Sequence, residues 1–266
     1  MVFKKMLKAF GVGGPTVDTV LANPNTRPGD SLAGQVDIVG GTHEVDIEQV
    51  TLALTTKVEV EYETSEGDGE YQSTVDFHRL AVAGAFHLRE GERRSIPFQI
   101  PVPWETPVTD VYGQRLPGMV MGVRTELAVA RAIDKGDLDP ISVHPLPAQA
   151  AILDAFVRLG FRFKSADLER GHVRGVHQTL PFYQEIEFYP APQYASRIKE
   201  VELTFVASPS ALEVVLEFDK RGGLLTSGGD AVNRFTVSHA EAGQIDWASQ
   251  VDGWVQQATQ RHFGLF

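Results

Sequence analysis

The groups best placed to do chemistry in this sequence are carboxylates. Glu59, Glu61, Glu63, Glu66, Asp68 and Glu70 crowd one short stretch around a glycine-rich turn. A cluster of that kind can hold a weak calcium ion, since calcium is bound by several carboxylate and carbonyl oxygens, although the EF-hand ligand pattern is missing here. Two carboxyls flanking a bond also suffice for glycoside hydrolysis. The plainer reading is the solvated face of a hairpin, whose charges keep a long strand from pairing with other chains, and the alternation of the segment favours it.

Other chemistry finds little support. Cysteine is absent, which removes disulfides, thiolate nucleophiles and Cys-ligated metals together. Gly11-Val12-Gly13-Gly14 neither follows a strand nor continues into the Gly-Lys-Ser/Thr of a phosphate loop, so it reads as a connector. His172 and His177 are five apart, which does not put them on one helical face as a zinc pair requires. No Gly-x-Ser-x-Gly elbow occurs. No catalytic, cofactor-binding or metal-binding residue is therefore assigned, no cofactor is expected, and the chain reads as a non-enzyme.

Charge points the same way. The 266 residues carry 24 Lys+Arg against 35 Asp+Glu, a net charge of −11, which argues against a nucleic-acid partner. The acidity is uneven: residues 1–140 carry 13 − 21 = −8 and residues 141–266 carry 11 − 14 = −3. The expected partner of the acidic half is a neutral or basic protein surface.

The elements that position these groups are mostly strands. From Val50, the residues Val50, Leu52, Leu54, Thr56, Val58, Val60 and Tyr62 alternate with Thr51, Ala53, Thr55, Lys57, Glu59, Glu61 and Glu63, one face apolar and one wet. Glu66–Glu70 then turns the chain into a return strand carrying Tyr71, Val75 and Phe77 on one face, a long antiparallel hairpin. Thr16–Ala22, Ser31–Val39, Arg94–Ile100 and Gly122–Ile133 are further strands. Lys135–Pro140 breaks the pattern, which predicts domains at 1–135 and 141–266 with a linker at 136–140. Pro147 starts and Gly160 stops a helix over Ala148–Leu159. Strands resume around Val201–Phe205, Leu212–Phe218 and Arg234–Ser238. A last helix, capped by Asp246, carries an apolar stripe of Trp247, Val251, Trp254, Val255 and Ala258. The expected fold is mainly β, two tandem antiparallel β-sandwiches with these helices.

Phe3, Met6, Leu7 and Phe10 follow helical spacing at the N-terminus, with Lys4, Lys5 and Lys8 largely on the other side. Phe3, Lys4, Lys5 and Lys8 are thus candidates for a weak membrane-surface or partner anchor; the alternative is a short helix docked on its own domain. No apolar run reaches the ~18 residues of a membrane span, no continuous h-region of a secretory signal is present, and a cytoplasmic location is expected.

Arg124–Pro140, followed by Val143-His144-Pro145-Leu146-Pro147, resembles the central segment of the bacterial sporulation-control family of the stage-zero M type. Lys4-Lys5-Met6-Leu7, Gly11-Val12-Gly13, Thr16-Val17-Asp18-Thr19, Gly29-Asp30 and Gly34-Gln35-Val36 resemble the start of the same family. That family is similar in fold to arrestins, and Ile96–Pro101 resembles the strand-and-proline element of arrestin-like N-domains. The resemblance implies a cytoplasmic, non-enzymatic regulator working through protein contacts in sporulation or cell-cycle events. Arg124, Glu126, Arg131, Asp134, Asp137 and Asp139 lie at the expected hinge, where interdomain ion pairs would set the angle between domains. Alternative functions are a carbohydrate-binding or glycoside-active sandwich, for which Trp104, Tyr112, Phe182, Tyr183 and Tyr189 could supply aromatic pieces, and a peripheral membrane adaptor. Exposed sandwich edges are also compatible with a homodimer.

Overall fold

The computed structural model describes residues 8–9, 13–64, 67–129, 136–220 and 232–260. In chain order the strands are β1 (Lys8–Ala9), β2 (Thr16–Leu21), β3 (Asn25–Thr26), β4 (Ser31–Val39), β5 (Val45–Thr64), β6 (Gly67–Ala83), β7 (Phe86–Leu88), β8 (Arg93–Pro101), β9 (Asp110–Val111), β10 (Gln114–Arg115), β11 (Met121–Val129), β12 (Gly136–Pro140), β13 (Ser142–Val143), β14 (Arg162–Arg170), β15 (Phe182–Tyr189), β16 (Ile198–Ala207), β17 (Ala211–Lys220) and β18 (Asn233–Ser238). The helices are α1 (Pro147–Arg158) and α2 (Trp247–Gln260). The mainly-β class expected from the alternation holds.

The chain forms two compact units. The first collects Met1–Lys57, Thr74–Pro103 and Val120–Val143. One of its sheets has the order β1-β2-β4-β8; in the other, β11 pairs antiparallel with both β5 and β12. Val17, Leu32, Val36 and Ile38 from the first sheet meet Val50, Leu52, Leu54, Val123 and Leu127 from the second in one fully buried core, as two facing sheets require. The face of β5 read as wet is not wholly so: Ala53 and Thr55 are buried as well, and the Thr55 hydroxyl donates to Asp76 at 2.7 Å.

The second unit collects Val58–Ser73, Trp104–Met119 and His144–Phe266. Strands β14 to β18 pair antiparallel in chain order. Two helices lie against one face of this sheet, in the position where the sequence predicts a facing sheet. Phe156 of α1 stacks on Phe188 with ring centroids 4.9 Å apart, and Trp254 of α2 on Phe235 at 4.4 Å. The tryptophan stripe of α2 is thus core: Trp247, Val251, Trp254 and Val255 are all buried. Both helix boundaries follow local chemistry. Pro147 opens α1, the Leu146 N–H donates to the Gln149 side chain at 2.8 Å, and Gly160 sits at φ +94° just beyond its end. Asp246 accepts from the Ser249 hydroxyl and N–H ahead of α2.

Two expectations are corrected. Gly136–Pro140, predicted as a linker, is β12: Asp137 lies opposite Thr125 and Asp139 opposite Val123 of β11. The units therefore part after Val143, and Val58–Ser73 and Trp104–Met119 belong with the later half of the chain, because long-range pairing rather than local breaker residues assigns them. At the N-terminus, Lys8 and Ala9 pair with Val17 and Thr16, so a helix does not run through Lys8. Phe3, Lys4 and Lys5 lie outside the described residues.

Candidate functional site

The helix-covered sheet of the second unit has a second face, and the alternation of its strands makes that face acidic. In β15, Phe182, Gln184, Ile186 and Phe188 are buried, while Tyr183, Glu185 and Glu187 between them face the other way. Register then aligns carboxylates across the sheet. Glu59 of β5 lies beside Glu169 of β14, Asp167 lies opposite Glu185, and Glu187 lies opposite Glu202, itself opposite Glu217. Glu59, Glu70, Asp167, Glu169, Glu185, Glu187 and Glu202 line an open concavity of about 740 Å³, with Arg170 and Tyr183.

The electrostatics follow from that crowding. Burial, and then the neighbouring charges of Glu202 and Asp167, push the Glu185 carboxyl up to about 8. Burial and the charges of Glu187 and Glu59 push Asp167 up to about 7. Burial, and then the charges of Glu185 and Glu169, raise the Tyr183 phenol as well. The exception lies at the Lys164 end. Its ammonium contacts Glu187 at 2.6 Å and Glu200 at 2.5 Å. Burial works against both charges, but Lys164 and the Ser165 hydroxyl outweigh it and hold Glu187 below the usual carboxylate range. Burial keeps the second partner, Glu200, above the ordinary range, so the cation brings down one of its two neighbours.

This arrangement offers oxygen ligands and negative potential, with no cysteine in the chain and no histidine lining the concavity. Carboxylate oxygens of Asp167, Glu169 and Glu185 come within 4.8 Å of one another, a donor set suited to hard cations or to the ammonium and guanidinium groups of a partner.

The residues proposed for the hinge separate. Arg124 and Glu126 lie within β11, where Arg124 pairs with Asp76 and Glu126, and Arg79 pairs with the same two carboxylates. All four belong to the first unit, so these ion pairs stay within one unit. Asp139 is buried in β12. Asp137 is in the same strand, but its side chain, like Arg131 and Asp134, lies outside the described residues. The aromatic pieces considered for carbohydrate do not form one row. Phe182 is buried, Trp104 stacks on His239, and Tyr112 and Tyr189 are exposed on different elements.

Of the acidic hairpin, Glu59 and Glu70 do reach the concavity. Of the concavity's other carboxylates, Glu202 lies on the strand expected around Val201–Phe205, whereas Asp167, Glu169, Glu185 and Glu187 lie on β14 and β15, where the sequence pattern places no strand. The available signal was the repeat of acids at alternate positions on three successive strands: Asp167 and Glu169, Glu185 and Glu187, Glu200 and Glu202.

The family model described as SpoOM protein matches residues 3–222. The chain belongs to the Spo0M family. It is similar to the sporulation-control protein spo0M of Bacillus subtilis (strain 168), 33% identical over 220 residues that make up 82% of this chain and 81% of that one. The crystal structure of Spo0M, sporulation control protein, from Bacillus subtilis superposes with a TM-score of 0.78 at 27% identity, covering 93% of this chain and 100% of that chain. Among the described residues no helix is long and apolar enough to cross a membrane.

Proposed function

We propose that this chain is a non-enzymatic regulator that acts by binding protein partners, and that the acidic sheet face of the second unit receives a cationic segment of one of them. The observation that supports this is the concavity itself. Seven carboxylates share it, two of them are pushed well above their ordinary range, and Lys164 at its end holds Glu187 down. A lysine- or arginine-rich surface would do for the whole face what Lys164 does for Glu187, relieving repulsion and restoring ionised, hydrogen-bonded carboxylates. The name of the Bacillus subtilis relative points to control of sporulation as the process, and a cytoplasmic location goes with that reading.

The test is a crosslinking pull-down from the native cell with the wild-type chain and with a Glu169→Gln, Glu185→Gln, Glu202→Gln variant. Proteins captured by the wild type should be lost by the variant, and lost from the wild type as salt rises, since exposed charge attraction is screened within about 10 Å at 0.1 M. Equal capture by both chains at every salt concentration would reject the acidic face as the docking surface.

A further inference from the structure

The opposite face of the same sheet is not fully covered by its helices. Where α1 ends, an open groove of about 330 Å³ remains between α1, the ends of β14 and β15, and the β9–β10 hairpin. Its floor is core: Leu153, Ile186 and Phe188 are buried. Its lips are apolar side chains left in water, Tyr112 at 62% exposure, Val157 at 52% and Phe163 at 38%. An isolated exposed hydrophobic side chain is ordinary; three around one apolar floor form a patch of the kind that marks an interaction surface.

Two further observations bear on what fits there. The first is the hairpin. Val111 pairs with Gln114 and Asp110 with Arg115, so Tyr112-Gly113 is a two-residue loop, with both residues in the left-handed region at φ +53° and +74°. The first position of such a loop favours Asn, Asp or Gly, and Tyr112 is the one non-glycine residue with positive φ among the described residues. A bulky ring held in a disfavoured conformation and left exposed needs a reason, and the groove it overhangs provides one. The second is charge. In a chain of net charge −11 the groove lining contains no carboxylate, and its one ionic group is Arg115. Arg115 is exposed, its Nε donates to the Met119 carbonyl at 3.3 Å, and it has no carboxylate partner among the described residues.

We infer that this groove binds a short segment of a protein partner that inserts an apolar anchor side chain and sets an Asp or Glu beside it against Arg115. The volume lies at the lower end of small-molecule pockets and suits one aromatic or two aliphatic side chains. A small ligand confined to the groove would leave the three lips wet, whereas a partner surface covers them, giving a buried apolar centre with a charged rim. This inference goes beyond the acidic face: the two surfaces point to opposite sides of one sheet and ask for partner segments of opposite charge.

The probes are three acetylated and amidated peptides, Asp-Leu-Phe-Leu-Asp, Lys-Leu-Phe-Leu-Lys and Asp-Ser-Ser-Ser-Asp, titrated into the full chain and followed through its methyl NMR signals. The acidic apolar peptide should shift the methyls of Leu116, Leu153, Val157 and Ile186 saturably, with a Kd near about 1 mM, and bind about tenfold more tightly than the lysine-flanked peptide. The serine peptide should leave them in place. Arg115→Met should abolish the preference between the first two peptides while keeping binding. Val157→Glu, at an exposed position, should abolish binding with the spectrum of the fold retained, and Tyr112→Gly should weaken binding while relieving the turn. Equal binding of all three peptides, shifts at methyls elsewhere only, or no saturable shift would overturn the inference. So would decanoate shifting the same methyls while the peptides do not, since it would make the groove a small-amphiphile site. Loss of acidic-face capture in the pull-down leaves these titrations untouched, so the two readings fail separately.

Discussion

Ile186 and Glu187 are neighbours in one strand, and they belong to opposite regimes. Ile186 lies on the helix-covered face, with Phe188 stacked on Phe156. Glu187 lies on the face where Glu202 and Glu217 line up across three strands. Like charges placed directly opposite destabilise a sheet pair, so the acidic face weakens the very element that the apolar face holds together. A sheet can carry such a face because the stability of the unit is supplied from the other side. The contrast locates stability and interaction on separate faces of a single layer: packing sets the first, unmatched charge the second.

Truncating the packed face should have the largest effect. Phe188→Ala should cost about 3–5 kcal/mol in chemical denaturation, the usual range for a buried phenylalanine, and Glu187→Gln, one residue away, much less. Equal costs would erase the distinction between the faces. Next comes the one cation between Glu187 and Glu200. Lys164→Met should cost about 1–3 kcal/mol at neutral pH. Because the folded Glu187 carboxyl is held below its ordinary range, the stability tied to it is present above the unfolded value of about 4.3 and disappears as pH falls through the lower folded one. The cost should accordingly vanish in acid, and a pH-independent cost would mean that Lys164 acts through its hydrocarbon stem instead.

A smaller effect of opposite sign is expected for Glu185. Its carboxyl releases its proton near 4.3 when unfolded and at about 8 when folded. Between those values the folded chain binds more protons, so stability falls as pH rises. Glu185→Gln should therefore leave Tm unchanged near pH 4 and raise it above pH 8 by roughly 2–4 °C, the shift that about 1 kcal/mol produces in a unit of this size. A Tm difference that is the same at both pH values would show that no unmatched charge is being relieved. The smallest effect belongs to the first unit, where Arg79 and Arg124 already balance Asp76 and Glu126. Arg79→Ala should cost about 0–1 kcal/mol, as for exposed pairs, and a larger loss in denaturant would mark that network as a structural clasp.

How much of this was legible varies from one element to the next. Alternation gave β5, β16 and β17 and their apolar faces, because a side chain's side of a strand depends only on its parity. Helix limits were legible from Pro147, Gly160 and Asp246, where the chemistry is confined to one turn. The turn residues of Lys135–Pro140 misled. Gly136 and Pro140 tolerate a strand at the edge of a sheet as well as a linker, and only pairing with β11 decides between them. Arg124 and Glu126 were placed at a hinge from their distance to that break, whereas the strand turns them toward Asp76 and Arg79 of β6. The groove had no local signal, since Tyr112 comes from a hairpin distant in sequence from Val157 and Phe163, which sit on a helix and the strand that follows it.

By itself the sequence determined the mainly-β class, the parity of β5, β16 and β17, the ends of α1 and the start of α2, the absence of thiol chemistry and, through its central segment, the Spo0M family. These depend on short-range patterns of polarity and backbone preference. Tertiary structure alone decided that β12 joins a sheet, that Val58–Ser73 and Trp104–Met119 belong with the later unit, and that acids from five strands face one concavity. Register between distant strands is set by which faces can be buried together, and no single segment carries that information.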